Sequence, residues 1–300
     1  MSPAHARLSP VAIVGLALLT AAALLRAAYV RAETVEDARA TLAWDSNVTR
    51  ANVREDVRAD ARVDARLAGG RRFDLAEYGS AELAAGLAGA QYGRFTRLSS
   101  AAVDASASWH RKLGLGLAAP WLSAGVGVAH EDYRDDTRDS DRLEAHFEAG
   151  KRWTEAIETS AGYAYDRRRA HQRAELVPGI SGAVWDVRGH TVFARAAWAL
   201  DERWQVDGGL AGRRGDVVAT TRRHRDIFLA ADAIARSTSF GDGFFDYRLR
   251  GTTGTATSAL SYALDAHSSL NLGYAFALTR AAHDLDYRNH LVSATWLFRP

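Results

Sequence analysis

The sequence predicts an all-β chain: an antiparallel up-and-down transmembrane β-barrel of about fourteen strands, with twelve as the alternative. Three observations carry this. From Val57 to Leu67 the chain alternates strictly, with Val57, Ala59, Ala61, Val63, Ala65 and Leu67 on one face of a strand and Arg58, Asp60, Arg62, Asp64 and Arg66 on the other. A helix would spread these residues round its circumference, whereas a two-residue repeat sorts them. The same period recurs to the C-terminus, so that 47% hydrophobic residues never sum to a second long apolar run after the N-terminal region. Connections alternate between long and short, as in barrels with short periplasmic turns and longer outer loops.

At the N-terminus the α-amino group and Arg7 precede an apolar run from Val11 to Leu25. The run is shorter than the roughly 20 residues a spanning helix needs. It predicts a signal peptide over residues 1–32, with cleavage after Val30-Arg31-Ala32, and a barrel over residues 33–300. The alternative is an uncleaved anchor extended by Arg26 to Val30. The chain has no cysteine, which excludes disulfides, thiolate metal sites and a lipoprotein anchor. Its 38 basic and 36 acidic residues are interleaved, for a net charge of +2, so there is no nucleic-acid footprint.

The first strand carries Ala38, Ala40, Leu42 and Trp44, and the second is the charged alternation itself. The third places Ala81, Leu83, Ala85 and Leu87 on one face and small residues on the other apart from Glu82, which leaves room for long side chains opposite. Val103 to Trp109, Leu122 to Val128, Leu143 to Ala149 and Ile157 to Tyr165 repeat the pattern, with a polar loop at Glu131 to Asp141. Val192 to Leu200 and Trp204 to Leu210 flank the tight turn at Asp201. Arg213 to Asp226 reads as a charged outer loop, followed by short strands near 227–236 and 244–250. A glycine and threonine run, Gly251 to Thr255, reads as the turn into Ala256 to Leu264. Leu270 to Leu278 and Val292 to Phe298 complete the set.

The segment Tyr287-Arg-Asn-His-Leu-Val-Ser-Ala-Thr-Trp-Leu-Phe298 resembles the C-terminal strand by which bacterial outer-membrane proteins are recognised for assembly, with Trp296 and Phe298 at its aromatic positions. Here Arg299 and Pro300 follow the last aromatic, and Ser293 stands where glycine is common. Trp44-Asp-Ser-Asn-Val48 and Tyr287-Arg-Asn289 resemble the barrel portion of surface lipoprotein assembly modifiers, without their periplasmic repeat domain. The resemblance implies the outer membrane of a Gram-negative bacterium, lipid and the barrel-assembly machinery as partners, and a periplasmic partner for an export-associated barrel.

Tryptophan and tyrosine near the strand ends predict two interfacial girdles: Trp109, Trp121, Trp153, Trp198, Trp204 and Trp296 at the short turns, and Trp44, Tyr92, Tyr133 and Tyr165 at the long loops. Fifteen charges are expected to line the lumen. On the N-terminal half they are Arg58, Asp60, Arg62, Asp64, Arg66, Asp104, Glu144 and Glu148. On the C-terminal half they are Glu158, Asp207, Arg213, Asp232, Asp246, Arg248 and Arg250. Opposite charges facing across strands brace a wall, at roughly 0.2 to 1 kcal/mol each. His267-Ser-Ser269 superficially resembles the histidine and serine of outer-membrane deacylases, but it falls in a tight turn on the short-turn side. The acidic loop from Asp132 to Asp141 has arginines interspersed and reads as self-neutralising rather than as a calcium site. The expectation is therefore a non-enzymatic, porin-like channel for small hydrophilic solutes, without catalytic residues, cofactor or metal. The alternative is a closed structural or export-associated barrel.

Overall fold

A computed structural model describes residues 32–75, 78–282 and 285–300; the expected signal peptide lies outside them apart from Ala32. Strands β1 (Ala32–Asp45), β2 (Asp60–Leu75), β3 (Gly79–Tyr92), β4 (Ser100–Lys112), β5 (Trp121–Tyr133), β6 (Ser140–Arg152), β7 (Ile157–Ala170) and β8 (Val187–Ala199) follow as antiparallel neighbours. Then come β9 (Trp204–Arg222), a short helix α1 (Arg225–Ala230), β10 (Ala233–Arg236), β11 (Phe244–Ala263), β12 (Ser268–Ala281) and β13 (Leu285–Phe298). β13 pairs with both β12 and β1, while β11 pairs with both β9 and β12. Of the thirteen strands in the sheet, twelve form the closed barrel and β10 lies outside the ring on the edge of β11. Closure leaves no unpaired strand edge within hydrocarbon, where each orphan backbone group costs several kcal/mol.

The barrel has the smaller of the two expected strand numbers, and the difference lies in one region. Gly251 to Thr255 is no turn: β11 runs through it, paired to Gly215–Ala211 of β9 and Ala281–Ala277 of β12. With a strand on each side to complete its ladder, β-branched threonine outweighs the weak breaking tendency of glycine. The expected loop from Arg213 continues as β9 as far as Arg222, and the expected strand near 227–236 divides into α1 and β10.

The period-2 pattern sets the faces. Leu42, Val63, Leu67, Leu87, Val103, Val192, Leu210 and Leu272 are all more than half exposed, and they form an apolar outer belt round the barrel. Such a belt is at rest only in lipid, so this is an outer-membrane barrel. No described helix is long and apolar enough to cross a membrane, which strands do here instead. Trp153, Trp198, Trp204 and Trp296 are exposed at the short-turn end and Trp44 at the other, in keeping with girdles. Three expected girdle residues turn inward. Trp121 donates to Glu158 at 3.0 Å, Tyr92 meets Arg62 at 3.1 Å, and the ring of Tyr133 lies 5.0 Å from the Arg168 guanidinium.

The dry core is not in the wall. β9 and β11 overshoot their neighbours at the long-loop end, and one face of that overshoot buries Val217, Ala219, Tyr247 and Leu249 under Ile227 of α1 and Ile234 of β10, with Leu285 beside them. Full burial of Ile227, Ile234 and Leu249 contributes roughly 1.5–3 kcal/mol each.

Candidate functional site: the lumen and its covered mouth

Within the wall, inward charges meet in pairs, either along one strand or skipping a strand. Arg66 of β2 reaches Asp104 of β4 at 2.6 Å, passing over Gly86 of β3. A Cβ at Gly86 would lie 2.8 Å from the Asp104 carboxylate and 3.0 Å from the Arg66 guanidinium, so glycine is what lets the pair close. Arg213 of β9 reaches Asp166 of β7 at 2.7 Å over Gly189 of β8, where a Cβ would stand 2.3 Å from the guanidinium. Arg62 pairs with Asp64 at 2.9 Å, Arg195 with Glu148 at 3.6 Å, and Glu144 with Arg142 at 3.2 Å. Glu158 accepts from both Trp121 and Arg152, and Asp207 from Gln205.

Between β5 and β13, with Trp121 at one side, the lumen holds a cavity of about 910 Å³. Glu144, Glu148, Glu158, Asp166 and Asp207 give it an acidic wall, opposed by Arg195 and His146. Nearer the long loops a second cavity of about 420 Å³ is bordered by Arg50, Arg138, Arg168 and Arg213, with Asp45 and Asp216, and by the rings of Tyr92, Tyr133, Trp185 and Tyr287. The lumen is thus acidic along one stretch and arginine-rich towards the mouth.

Six of the expected lumen charges stand elsewhere. Asp232 and Arg250 are exposed and 3.7 Å apart beside β10. Asp246 is fully buried, Arg248 donates to the carbonyls of Ala183 and Asp186 at 2.9 and 2.7 Å, and Arg58 precedes β2, its guanidinium 5.4 Å from the Phe244 ring. Asp60, at the head of β2, is also buried and accepts from the backbone of Ala61, Arg94 and Phe95, so it fixes two loops. The reason is shared: alternation sorts residues between lipid and lumen only while both flanking strands continue, and these positions lie beyond that limit.

Asp232, Asp246, Arg248 and Arg250 belong to a cap. The segment from Asp216 to Arg250 is rooted between β8 and β12, yet it touches loops round the opening. Thr220 donates its backbone N–H to Thr49 at 2.8 Å, and Thr221 and Arg222 donate to Asp56 in the β1–β2 loop. Phe240 and Phe244 pack on Leu98 of the β3–β4 loop. Ser239 donates to Asp135, and Asp246 lies 3.6 Å from Arg138, both in the β5–β6 loop. Ile234 donates to Ser181 at 2.9 Å in the β7–β8 loop. A segment with those contacts crosses the mouth.

Arg138 is the hub: 8% exposed, its guanidinium stacks 4.1 Å from the Trp185 ring and lies between Asp135 and Asp246. Burial alone would raise Asp135, but hydroxyl donation from Ser239, Thr137 and Thr238 and the charge of Arg138 hold it below the ordinary carboxylate value. For Asp246 burial prevails over Arg138 and the Thr220 hydroxyl, and its pKa is raised. Asp166 and Arg195 were legible from alternation, since each sits in phase with inward neighbours. Arg138, Arg168 and Trp185 carried no periodic signal.

His267 and Ser268 form a tight turn in which Asp265 accepts from both backbone N–H groups and from the Ser268 hydroxyl, and His267 Nδ1 lies 3.1 Å from the Arg299 carbonyl. Its elements serve the turn.

No protein-family model matches the chain, and no curated protein sequence does. Solved structures do. An outer-membrane channel from Pseudomonas putida F1 superposes with a TM-score of 0.54 at 11% identity, over 89% of this chain and 96% of that one. The outer-membrane channel DcaP of Acinetobacter baumannii gives 0.45 at 8% identity over 90% and 97%, and the NanC porin 0.46 at 8% over 88% and 98%. At such identities the likeness is one of fold, and the first of these carries it.

Proposed function

We infer that this barrel is a non-enzymatic, porin-like channel through which small hydrophilic solutes diffuse passively across the outer membrane. The observation that carries the reading is the charged cavity of about 910 Å³ inside a closed barrel whose outer face is apolar. A barrel built only as a rigid post would gain by filling that space with side chains, as small barrels do. The channel named in the Pseudomonas putida structure shares the fold and supports the same reading. Ion pairs of both signs line the path, so a weak preference among ions is expected, with the arginine-rich mouth favouring anions at entry. The cap sets the size limit. Lipid contacts the belt, and the C-terminal strand addresses the chain to the assembly machinery.

The cap also favours a second reading, a closed barrel that works with a periplasmic partner, because its buried core makes it a stable cover. Single-channel recording in planar bilayers separates the two. Wild-type protein should show discrete conductance steps, and replacing residues 223–243 by a short Gly-Ser linker should enlarge them. Conductance from the linker variant alone would favour the closed barrel, and silence from both would overturn the channel.

A further inference from the structure

On the outer wall, away from the lumen, the long-loop ends of β5, β6 and β7 bring together two imidazoles and one carboxylate. His130 Nδ1 lies 3.0 Å from Asp141 Oδ1, and His171 Nε2 lies 3.4 Å from Asp141 Oδ2. The two rings stack, with centroids 5.3 Å apart and planes inclined by 27°. One ligand atom from each residue falls within 4.8 Å of the others. We propose that His130, Asp141 and His171 form a binding site for a divalent transition-metal ion of the zinc type.

The donor set is the first ground. Two neutral imidazoles and a carboxylate suit Zn²⁺, with a fourth position left for water or an external ligand. Hard cations such as calcium prefer more oxygen donors than this trio offers. The second ground is spacing. A tetrahedral ion with bonds of about 2.0–2.2 Å holds neighbouring ligand atoms about 3.3 Å apart, and the two nitrogen-to-oxygen distances of 3.0 and 3.4 Å already bracket that edge. The two distances run to different oxygens of Asp141, so side-chain rotation must bring one oxygen and both nitrogens round a single ion.

The third ground is the scaffold. His130 and Asp141 are direct register partners on β5 and β6, in phase with the outward pair Ala124 and Phe147. The His171 backbone is tied by its N–H to the Asp139 carbonyl at 2.9 Å, and Asp139 in turn accepts from the Tyr133 N–H at 2.8 Å. Ligands held on ladders rather than on free loops lose little freedom on binding. The side chains of His130, His171 and Asp141 are 60%, 41% and 35% exposed on the outward face, at the long-loop edge of the belt where Val103 is the register partner of His130, so no other part of the chain covers the site. Binding asks each imidazole to present its Asp-facing nitrogen unprotonated and keep its hydrogen on the other, so the charge change is that of the ion alone.

The test is calorimetric titration of untagged, full-length, detergent-refolded protein with ZnCl₂ in a non-chelating buffer. The expected result is one saturable Zn²⁺ per chain. Each of H130A, H171A and D141N should weaken it by more than the roughly 10- to 100-fold that loss of an outer-shell partner costs. H190A, which removes another outward imidazole, one bonded to Tyr163, should leave it unchanged. Heat-modifiable gel migration confirms that every variant is folded. Non-saturable binding by the wild type, or saturable binding that survives H130A and H171A in folded protein, would overturn the assignment.

Discussion

The wall from β2 to β8 and the cap built on β9, α1, β10 and β11 are made of similar residues arranged by different rules. In the wall a side chain's surroundings follow from its parity: Val63 and Leu67 meet lipid, and Arg62, Asp64 and Arg66 meet water and one another. In the cap both faces of a strand pair are covered. Tyr247 and Leu249 are buried on one face, yet Asp246, of opposite parity, is buried too. The lesson is that alternation encodes a contrast between two media, and it stops being informative where loops replace one of them.

The sharpest way to break the comparison is to remove an element from each side. Deleting Leu291 to Pro300 should abolish folding, because β13 closes the ring against β12 and β1 through residues as far along as Phe298. Replacing residues 223–243 by a short linker should leave the barrel intact. Unheated and boiled samples compared on a denaturing gel will tell; a compact, protease-resistant band from the chain lacking the terminal segment would show that β13 is dispensable.

Next in size is a charge on the lipid face. Val63→Arg should destabilise the inserted barrel by about 2–4 kcal/mol if it lies near the midplane, whereas the neighbouring Arg62→Asn should change stability far less. Equal effects in urea unfolding from vesicles would undo the assignment of faces.

An effect of similar size, but confined to the cap, is expected of Arg138→Ala. Removing one partner of a buried charge pair costs about 3–5 kcal/mol, and the lower end applies because Asp246 can take up a proton. The barrel should remain heat-modifiable while protease cleaves within residues 223–243 and Trp185 fluorescence shifts red. Unchanged cleavage would mean that Arg138 does not hold the cap.

The smallest effect is on pH dependence, and the two carboxylates flanking Arg138 act in opposite directions. Asp246 has a raised pKa in the closed cap and the ordinary value of 3.8 when the cap opens. Its contribution is present in full below 3.8 and is lost as pH rises through the folded value. Asp135 has a lowered pKa, so its contribution is present above 3.8 and lost as pH falls through the folded value. The closed cap should therefore tighten as pH drops through the raised Asp246 value towards 3.8, and loosen as pH falls further from 3.8 through the lowered Asp135 value. Conductance falling between neutral and mildly acidic pH, and losing that dependence in D246N, is the expected record; identical profiles for both proteins would remove Asp246 from the account.

Most of the wall was legible in advance because a strand with lipid on one side and water on the other has one stable orientation, and a slip of one residue would turn Arg62, Asp64 and Arg66 into hydrocarbon. Even the skipped-strand pairs were foreshadowed by the small inner face of β3, where Gly86 stands beneath Arg66 and Asp104. The His130, Asp141 and His171 trio was not, because its members come from β5, β6 and the position just past β7, and Asp141 was read as one of several loop acids.

By itself, then, the sequence determined the barrel, its apolar belt, the inward sense of Arg62, Asp64, Arg66 and Asp104, and the aromatic strand that closes the ring, since each depends on local period and on the medium outside. Only the tertiary structure decided that β11 runs unbroken through Gly251 to Thr255, that Asp216 to Arg250 folds over the mouth, and that Arg138 sits there between Asp135 and Asp246. Those outcomes depend on partners supplied from flanking strands and from four separate loops, and a local pattern holds no record of which distant backbone will complete a ladder or neutralise a charge.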